Sequence, residues 1–175
     1  MNTTRHAHGL ALEMIVLALC TLAVFGAPTS ASPGSLPPTP NAQTESPKPP
    51  VPDAAIIEPQ DLARILKSND AQKPLIFHVG FHLLFKEGHI PGSEYLGPAS
   101  KEEGLALLRK RVARLPHSQF IVLYCGCCPW IRCPNVKPAY QALRNLGFEK
   151  VKVLRIDQNF GADWVTKGYP VVKGE

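Results

Sequence analysis

What the 175-residue sequence lacks narrows its class first. A bilayer-spanning helix takes about 20 apolar residues, and the longest apolar run, Met14 to Ala27, is shorter than that. There is no cysteine between Cys20 and Cys125 and none after Cys133. Disulfides therefore cannot staple distant parts of the fold together, which is their usual task in small exported domains. Charge of one sign is not in large excess: 19 Lys and Arg against 14 Asp and Glu give +5, a surplus too modest to specify a nucleic-acid surface. The densest basic group, Arg109-Lys110-Arg111 with Arg114, lies on a segment that also has an apolar face, so it reads as a solvated helix side. No internal repeat is present, which excludes a solenoid.

The first residues do not pattern as part of a fold. Arg5, His6 and His8 precede the Met14–Ala27 run, and Thr29-Ser30-Ala31 fits a small-x-small cleavage site. Residues 1–31 thus read as a secretory signal peptide. The protein is expected to be exported, to the periplasm or outside the cell, with no membrane span once the signal is removed. Ser32 to Pro52 contains eight prolines among Ser, Thr, Gly and Lys. Such a stretch cannot bury a core, and residues 32–53 are expected to be a disordered, semi-rigid linker. The folded domain is then residues 54–175, enough for one modest core.

Within it, apolar runs alternate with amphipathic ones. Pro59 opens a helix whose apolar face carries Leu62, Ile65 and Leu66. Leu75 to Val79 reads as a strand, Phe81 to Phe85 as a loop with a helical turn, Gly88 to Gly92 as a turn, and Glu94 to Leu96 as a short strand. Lys101 to Leu115 reads as a helix with Leu105, Leu108, Val112 and Leu115 on one side, closed by Pro116. Phe120 to Tyr124 reads as a strand. Asn135 to Leu146 reads as a helix burying Ala139, Ala142, Leu143 and Leu146, with Gly147 as its cap. Val151 to Arg155 is a further strand, and Gly161 to Lys167 a helical turn carrying Trp164. Strands alternating with helices imply an α/β fold: a parallel sheet with helices on both faces.

The remaining four cysteines fall within nine residues, in Tyr124-Cys125-Gly126-Cys127-Cys128-Pro129-Trp130-Ile131-Arg132-Cys133-Pro134-Asn135. Strand, cysteine loop, helix start is a layout that favours anionic sulfur, because unpaired helix-start amides and the helix dipole stabilise negative charge. The thiolate is the reactive form of cysteine.

Several pieces in this order resemble rhodanese-like domains. They are the turn Gly88-His89-Ile90-Pro91-Gly92-Ser93, Tyr124-Cys125 at the end of an apolar strand, Leu146-Gly147-Phe148 before a Val-rich strand, Trp164, and Gly168-Tyr169-Pro170-Val171. The resemblance runs from Ile56 to Val172. It implies a single doubly wound α/β domain with its site beyond the carboxyl end of a central strand. It also implies a sulfurtransferase that carries a sulfane sulfur as a cysteine persulfide. By position the catalytic residue is Cys125, and the loop of Gly126, Cys127, Cys128, Pro129, Trp130, Ile131, Arg132 and Cys133 binds the substrate, its amides cradling the anionic sulfur. The expected partners are a small sulfur donor and a thiol or other nucleophilic acceptor. No cofactor, no metal ligand and no nucleic acid enter this reading, and the chain is expected to be a monomer.

Two features depart from the family pattern. His78-Val79-Gly80 stands where its members generally have Asp-x-Arg, and the loop is longer, with three added cysteines and Arg132 as its only basic residue. Four explanations of those cysteines stay open. Cys127, Cys128 or Cys133 resolves a Cys125 persulfide, as in thiol–disulfide exchange. The cluster binds a soft metal ion such as zinc or copper(I). Cys125 or Cys128 cycles a disulfide with Cys133. Or one disulfide braces the loop. The alternative to an enzyme is therefore a metal-binding or redox module. A phosphatase loop would be closed by arginine rather than filled with cysteine. His89 and His78 read first as structural histidines, and Trp130 as a ring at a loop tip, placed to cover the site or meet a partner.

Overall fold

The computed structural model describes residues 51–69 and 73–174. Its centre is β4 (Ile121–Tyr124), a strand with no polar face whose four residues are all buried. That pattern belongs to a strand covered on both sides. Successive side chains alternate between the faces. Ile121 and Leu123 join one apolar cluster, and Val122 and Tyr124 the other. The same alternation places Cys125, the next residue, in the first cluster.

The other strands are β1 (Ile56–Ile57), β2 (Leu75–His78), β3 (Ser93–Tyr95) and β5 (Val151–Leu154). All pairings are parallel, in the order β1-β5-β4-β2-β3. The short strands β1 and β3 form the edges, so β4 is enclosed by β2 and β5. Parallel neighbours require crossovers, and the helices supply them. On one face α3 (Glu102–Val112) buries Leu108 and Val112, and α4 (Val136–Asn145) buries Val136, Ala139 and Leu143. On the other, α1 (Pro59–Lys67) buries Leu62 and Ala63 beside Trp164. The doubly wound α/β architecture expected from the sequence is the one observed.

Some boundaries differ. Phe81 to Phe85, expected as a loop with a helical turn, is α2 (His82–Glu87), with only Phe85 buried. Leu146, expected inside, is 41% exposed, because α4 ends at Asn145 and the chain reverses at Gly147 with φ +87°. Gly161–Val165 winds as a π-helical turn; its Trp164 is fully buried and donates its indole N–H to the Pro170 carbonyl at 2.8 Å. The folded part also begins before residue 54. Val51, inside the expected linker, is only 1% exposed and packs into the cluster around β4. Flanking prolines hide one apolar residue well. The expected signal peptide, residues 1–31, and the linker up to residue 50 lie outside the described residues. Among the described residues no helix is long and apolar enough to cross a membrane.

The carboxyl ends of β2 and β4 open toward one side of the sheet. There the last described segment returns: His89 and Val172 exchange backbone hydrogen bonds of 2.9 and 3.0 Å, tying the turn before β3 to the C-terminal stretch.

Candidate active site

Cys125 leaves β4 only 2% exposed, and the chain turns at once. Gly126 has φ +78°, and a Cβ there would lie 2.9 Å from Phe160 Cβ. A side chain is thus excluded both by conformation and by space. The Gly126 carbonyl accepts from the Phe160 amide at 2.9 Å. The loop is fastened again at Trp130, whose amide donates to the Ile156 carbonyl at 2.7 Å. The Trp130 ring is buried, with the Arg155 guanidinium 5.7 Å above its centroid. Trp130 therefore anchors the loop to the core and is not a ring at the loop tip. The exposed residues are Ile131 and Arg132. A single 3-10 turn, Trp130–Arg132, then brings Cys133 back inside, 4% exposed.

This path gathers the sulfurs. Cys125 Sγ lies 3.3 Å from Cys127 Sγ, which lies 3.1 Å from Cys128 Sγ. Cys133 Sγ lies within 4.8 Å of the sulfurs of Cys125 and Cys127. None of the four is bridged. Burial pushes the Cys127 thiol up to about 12. The Cys133 thiol is held above its ordinary range chiefly by its hydrogen bond to Cys125, and then by burial. Burial also raises Cys128. Three of the loop thiols thus hold their protons around a shared centre.

The backbone amides of Asn135 and Val136, at the start of α4, act on Cys133 and partly offset the rise of its thiol pKa. Those of Trp130, Arg132 and Cys133 are spent on the carbonyls of Ile156, Pro129 and Trp130. Pro129 has none to give. Those three amides are therefore engaged within the protein. The group that does reach the Cys125 sulfur is a side chain. Asn135, completely buried, donates Nδ2–H to Cys125 Sγ at 3.4 Å while its Oδ1 accepts the Ser100 amide at 2.9 Å.

Gly80 and His78 complete the surroundings. A Cβ on Gly80 would lie 2.7 Å from Cys125 Sγ and 3.0 Å from the Cys125 carbonyl oxygen. The absent side chain is the space the sulfur occupies. His78 is buried, with its ring 4.9 Å from and edge-on to Tyr124. Burial lowers its pKa to about 4, against a hydrogen bond to the Cys125 backbone that acts the other way. Nearby His82 and His89 lower it further. The imidazole is neutral at pH 7. Tyr124, also buried, accepts the Ile90 amide at 3.2 Å and shares a 3.1 Å hydrogen bond with Ser93. His89, read as structural, has its Nδ1 2.9 Å from the Phe85 carbonyl and stacks on the Phe85 ring.

Cys125, Gly126 and Cys127 line a cleft of about 440 Å³, together with His78, Leu84, Glu87, Tyr124 and Phe160. Among the described residues no lysine or arginine lines it, and Glu87 is the one charged side chain there. Sequence reasoning missed Asn135, taken only as a helix start, and the spatial role of Gly80. An asparagine directly after Pro134 is the one local signal, and it points to a helix cap; the side chain makes no capping bond.

The sequence profile of the rhodanese-like domain matches residues 58–156. A crystallised protein from Anabaena sp. is 21% identical, with 67% of this chain and 92% of that one covered and a TM-score of 0.52. A protein from Bacillus halodurans is 23% identical over 67% of this chain and 76% of its own, also at 0.52. The solution structure of a rhodanese-like domain from Anabaena sp. is 21% identical, over 68% and 79% of the two chains, at 0.50. At these identities the likeness is one of fold alone. No curated protein matches the chain.

Proposed function

The chain belongs to the rhodanese-like domain family, and from that premise we propose that it is a sulfurtransferase with Cys125 as its nucleophile. The observation that carries this reading is the position of Cys125. It sits at the carboxyl end of the central strand, at the wall of the cleft, with a buried amide donor on its sulfur. In open doubly wound sheets ligands bind in the crevice beyond the carboxyl ends of the strands.

In the first step the Cys125 thiolate attacks the sulfane sulfur of a donor. A sulfur–sulfur bond forms, and the donor's bond to that sulfur breaks with its electron pair leaving on the donor. In the second step an acceptor thiolate attacks the outer sulfur of the persulfide, and the pair returns to Cys125. Covalent catalysis thus divides the transfer into two easier displacements. Asn135 and the amides of Gly126 to Cys128 stabilise the anionic sulfur in both. The missing cations in the cleft favour a thiol-derived donor, such as a low-molecular-weight persulfide, over thiosulfate. Cys127, with its sulfur 3.3 Å from that of Cys125, is the nearest resolving thiol. Cys128 stands one sulfur further out. The segment 1–31 supports a place of action outside the cytoplasm.

The test is incubation with a sulfur donor followed by intact mass measurement. One added sulfur per chain, released by cyanide as thiocyanate and absent in Cys125→Ser, is the expected result. Undiminished uptake in Cys125→Ser removes Cys125 from its role, and no uptake from any donor removes the activity.

A further inference from the structure

One nucleophile and one resolving thiol do not account for four clustered sulfurs. The Sγ atoms of Cys125, Cys127 and Cys133 all lie within 4.8 Å of one another. Three thiolates bound to a single ion at about 2.3 Å in a trigonal plane stand roughly 4 Å apart. Cys125 and Cys127 stand at 3.3 Å and no pair of the three exceeds 4.8 Å, so sulfur shifts of no more than about 1 Å reach that spacing.

Each of the three is held by a different part of the fold. Cys125 is fixed by β4, the gap at Gly80 and the Asn135 amide. Cys127 is set by the left-handed turn at Gly126. Cys133 is set by the turn after Trp130 and by the amides opening α4. Two of the three cysteines are buried, and among the described residues no imidazole or carboxylate belongs to the cluster. Cys128 contacts Cys127 but does not join the mutually close set, so among the described residues no sulfur takes the fourth corner of a tetrahedron. Closed zinc sites take four ligands. An all-thiolate set of three suits a soft, monovalent ion that accepts low coordination numbers.

We propose that Cys125, Cys127 and Cys133 form a three-coordinate copper(I) site. Binding exchanges thiol protons for the ion: up to three protons leave and no electron moves. The assignment goes beyond sulfur transfer and stands without it. Where both hold, the ion and the sulfane sulfur compete for Cys125, so a copper-loaded chain takes up no sulfur.

The full chain carrying Cys20→Ser, reduced and free of oxygen, is titrated with copper(I) against the chromophoric chelator bathocuproine disulfonate. The chain is expected to withdraw one copper per molecule from the chelator. X-ray absorption at the copper edge is expected to show three sulfur neighbours and no nitrogen. Cys127→Ser and Cys133→Ser each lose more affinity than the roughly 10–100-fold that removal of an outer-shell partner costs, while Cys128→Ser keeps one copper on three sulfurs. Copper remaining wholly with the chelator overturns the proposal. So does a two- or four-sulfur environment in the unaltered chain, a spectrum that needs no folded variant, and so does a loss in Cys128→Ser equal to that in Cys133→Ser. Sulfur uptake by the metal-free chain reports on the transferase reading separately.

Discussion

Asn135 faces two ways: its Nδ2 donates to Cys125 Sγ at 3.4 Å, and its Oδ1 is held by the Ser100 amide at 2.9 Å. The second bond fixes which end of the amide meets the sulfur, so a residue at the start of α4 is aimed across the sheet end by the loop before α3. Replacing it separates the two bonds. Asn135→Ala removes the acceptor of the Ser100 N–H, which is exposed and can turn to water, and the donor to the sulfur, a net loss of about 0.5–1.5 kcal/mol for each hydrogen bond. Asn135→Asp keeps an acceptor for Ser100 but turns an anion toward Cys125. The expectation is that Asp retains more stability than Ala by denaturant midpoint, yet loads sulfur more slowly than the unaltered chain. Equal loading by the Asp variant takes Asn135 out of the chemistry.

Gly80→Ala tests the space behind the nucleophile. The new Cβ would stand 2.7 Å from Cys125 Sγ and 3.0 Å from the Cys125 carbonyl, and one of the two is backbone. Overpacking of this kind typically costs about 1–3 kcal/mol. The sulfur must also leave its place beside Asn135. Loss of persulfide formation larger than the loss of stability explains, read by mass spectrometry at a temperature where the variant is folded, is the expected outcome. Normal loading rates would show that the site tolerates a shifted sulfur.

His78 gives the fold a dependence on acidity. Its imidazole takes a proton at about 4 in the fold against 6.5 in the unfolded chain. Between those values the unfolded chain binds more protons, so stability falls as pH drops through the window and the loss is complete below about 4. The shift corresponds to about 3 kcal/mol. In His78→Asn the difference between denaturant midpoints at pH 7 and pH 4 shrinks by that share. A variant with the original pH slope would place the protonation elsewhere. Over the neutral range, where the ring stays uncharged, His78 contributes no inflection to the rate profile of sulfur loading.

Trp130→Ala is expected to unmoor the loop. A buried Trp truncated to Ala costs about 3–5 kcal/mol, and here it also removes the ring under the Arg155 guanidinium. Thermal denaturation should show that drop, with a much smaller one for Trp130→Phe. The Cys127 and Cys128 thiols should react faster with an alkylating agent in the Ala variant. Unchanged alkylation rates would mean that Gly126 and Phe160 alone hold the loop.

Much of this was readable from the chain. The apolar run Ile121–Tyr124 with cysteine directly after it announces a buried strand ending in a reactive group, and two-residue alternation then places that cysteine on the α3–α4 face. What escaped were relations between residues distant in sequence. Trp130 looks like a loop tip because its acceptor, Ile156, comes after β5. Asn135 looks like a cap because its partners are Ser100 and Cys125. Gly80 looks like the loss of an arginine, and only the fold shows that the sulfur fills the gap. Leu146 obeys helical periodicity one residue past the helix. Local pattern carries elements and their buried faces; it does not carry which loop amide is already engaged.

The tie from Trp130 to Ile156 has a consequence for how the chain is made. Synthesis is vectorial, at about 5–20 residues per second. All four loop thiols are present once α4 has been added, but the strand and carbonyl that lock the loop follow later. For that interval Cys-Gly-Cys-Cys is a flexible peptide with adjacent sulfurs, open to whichever oxidant or thiol it meets. The fastening of the loop thus depends on a segment synthesised after it, and neighbouring sulfurs are able to pair before that segment arrives.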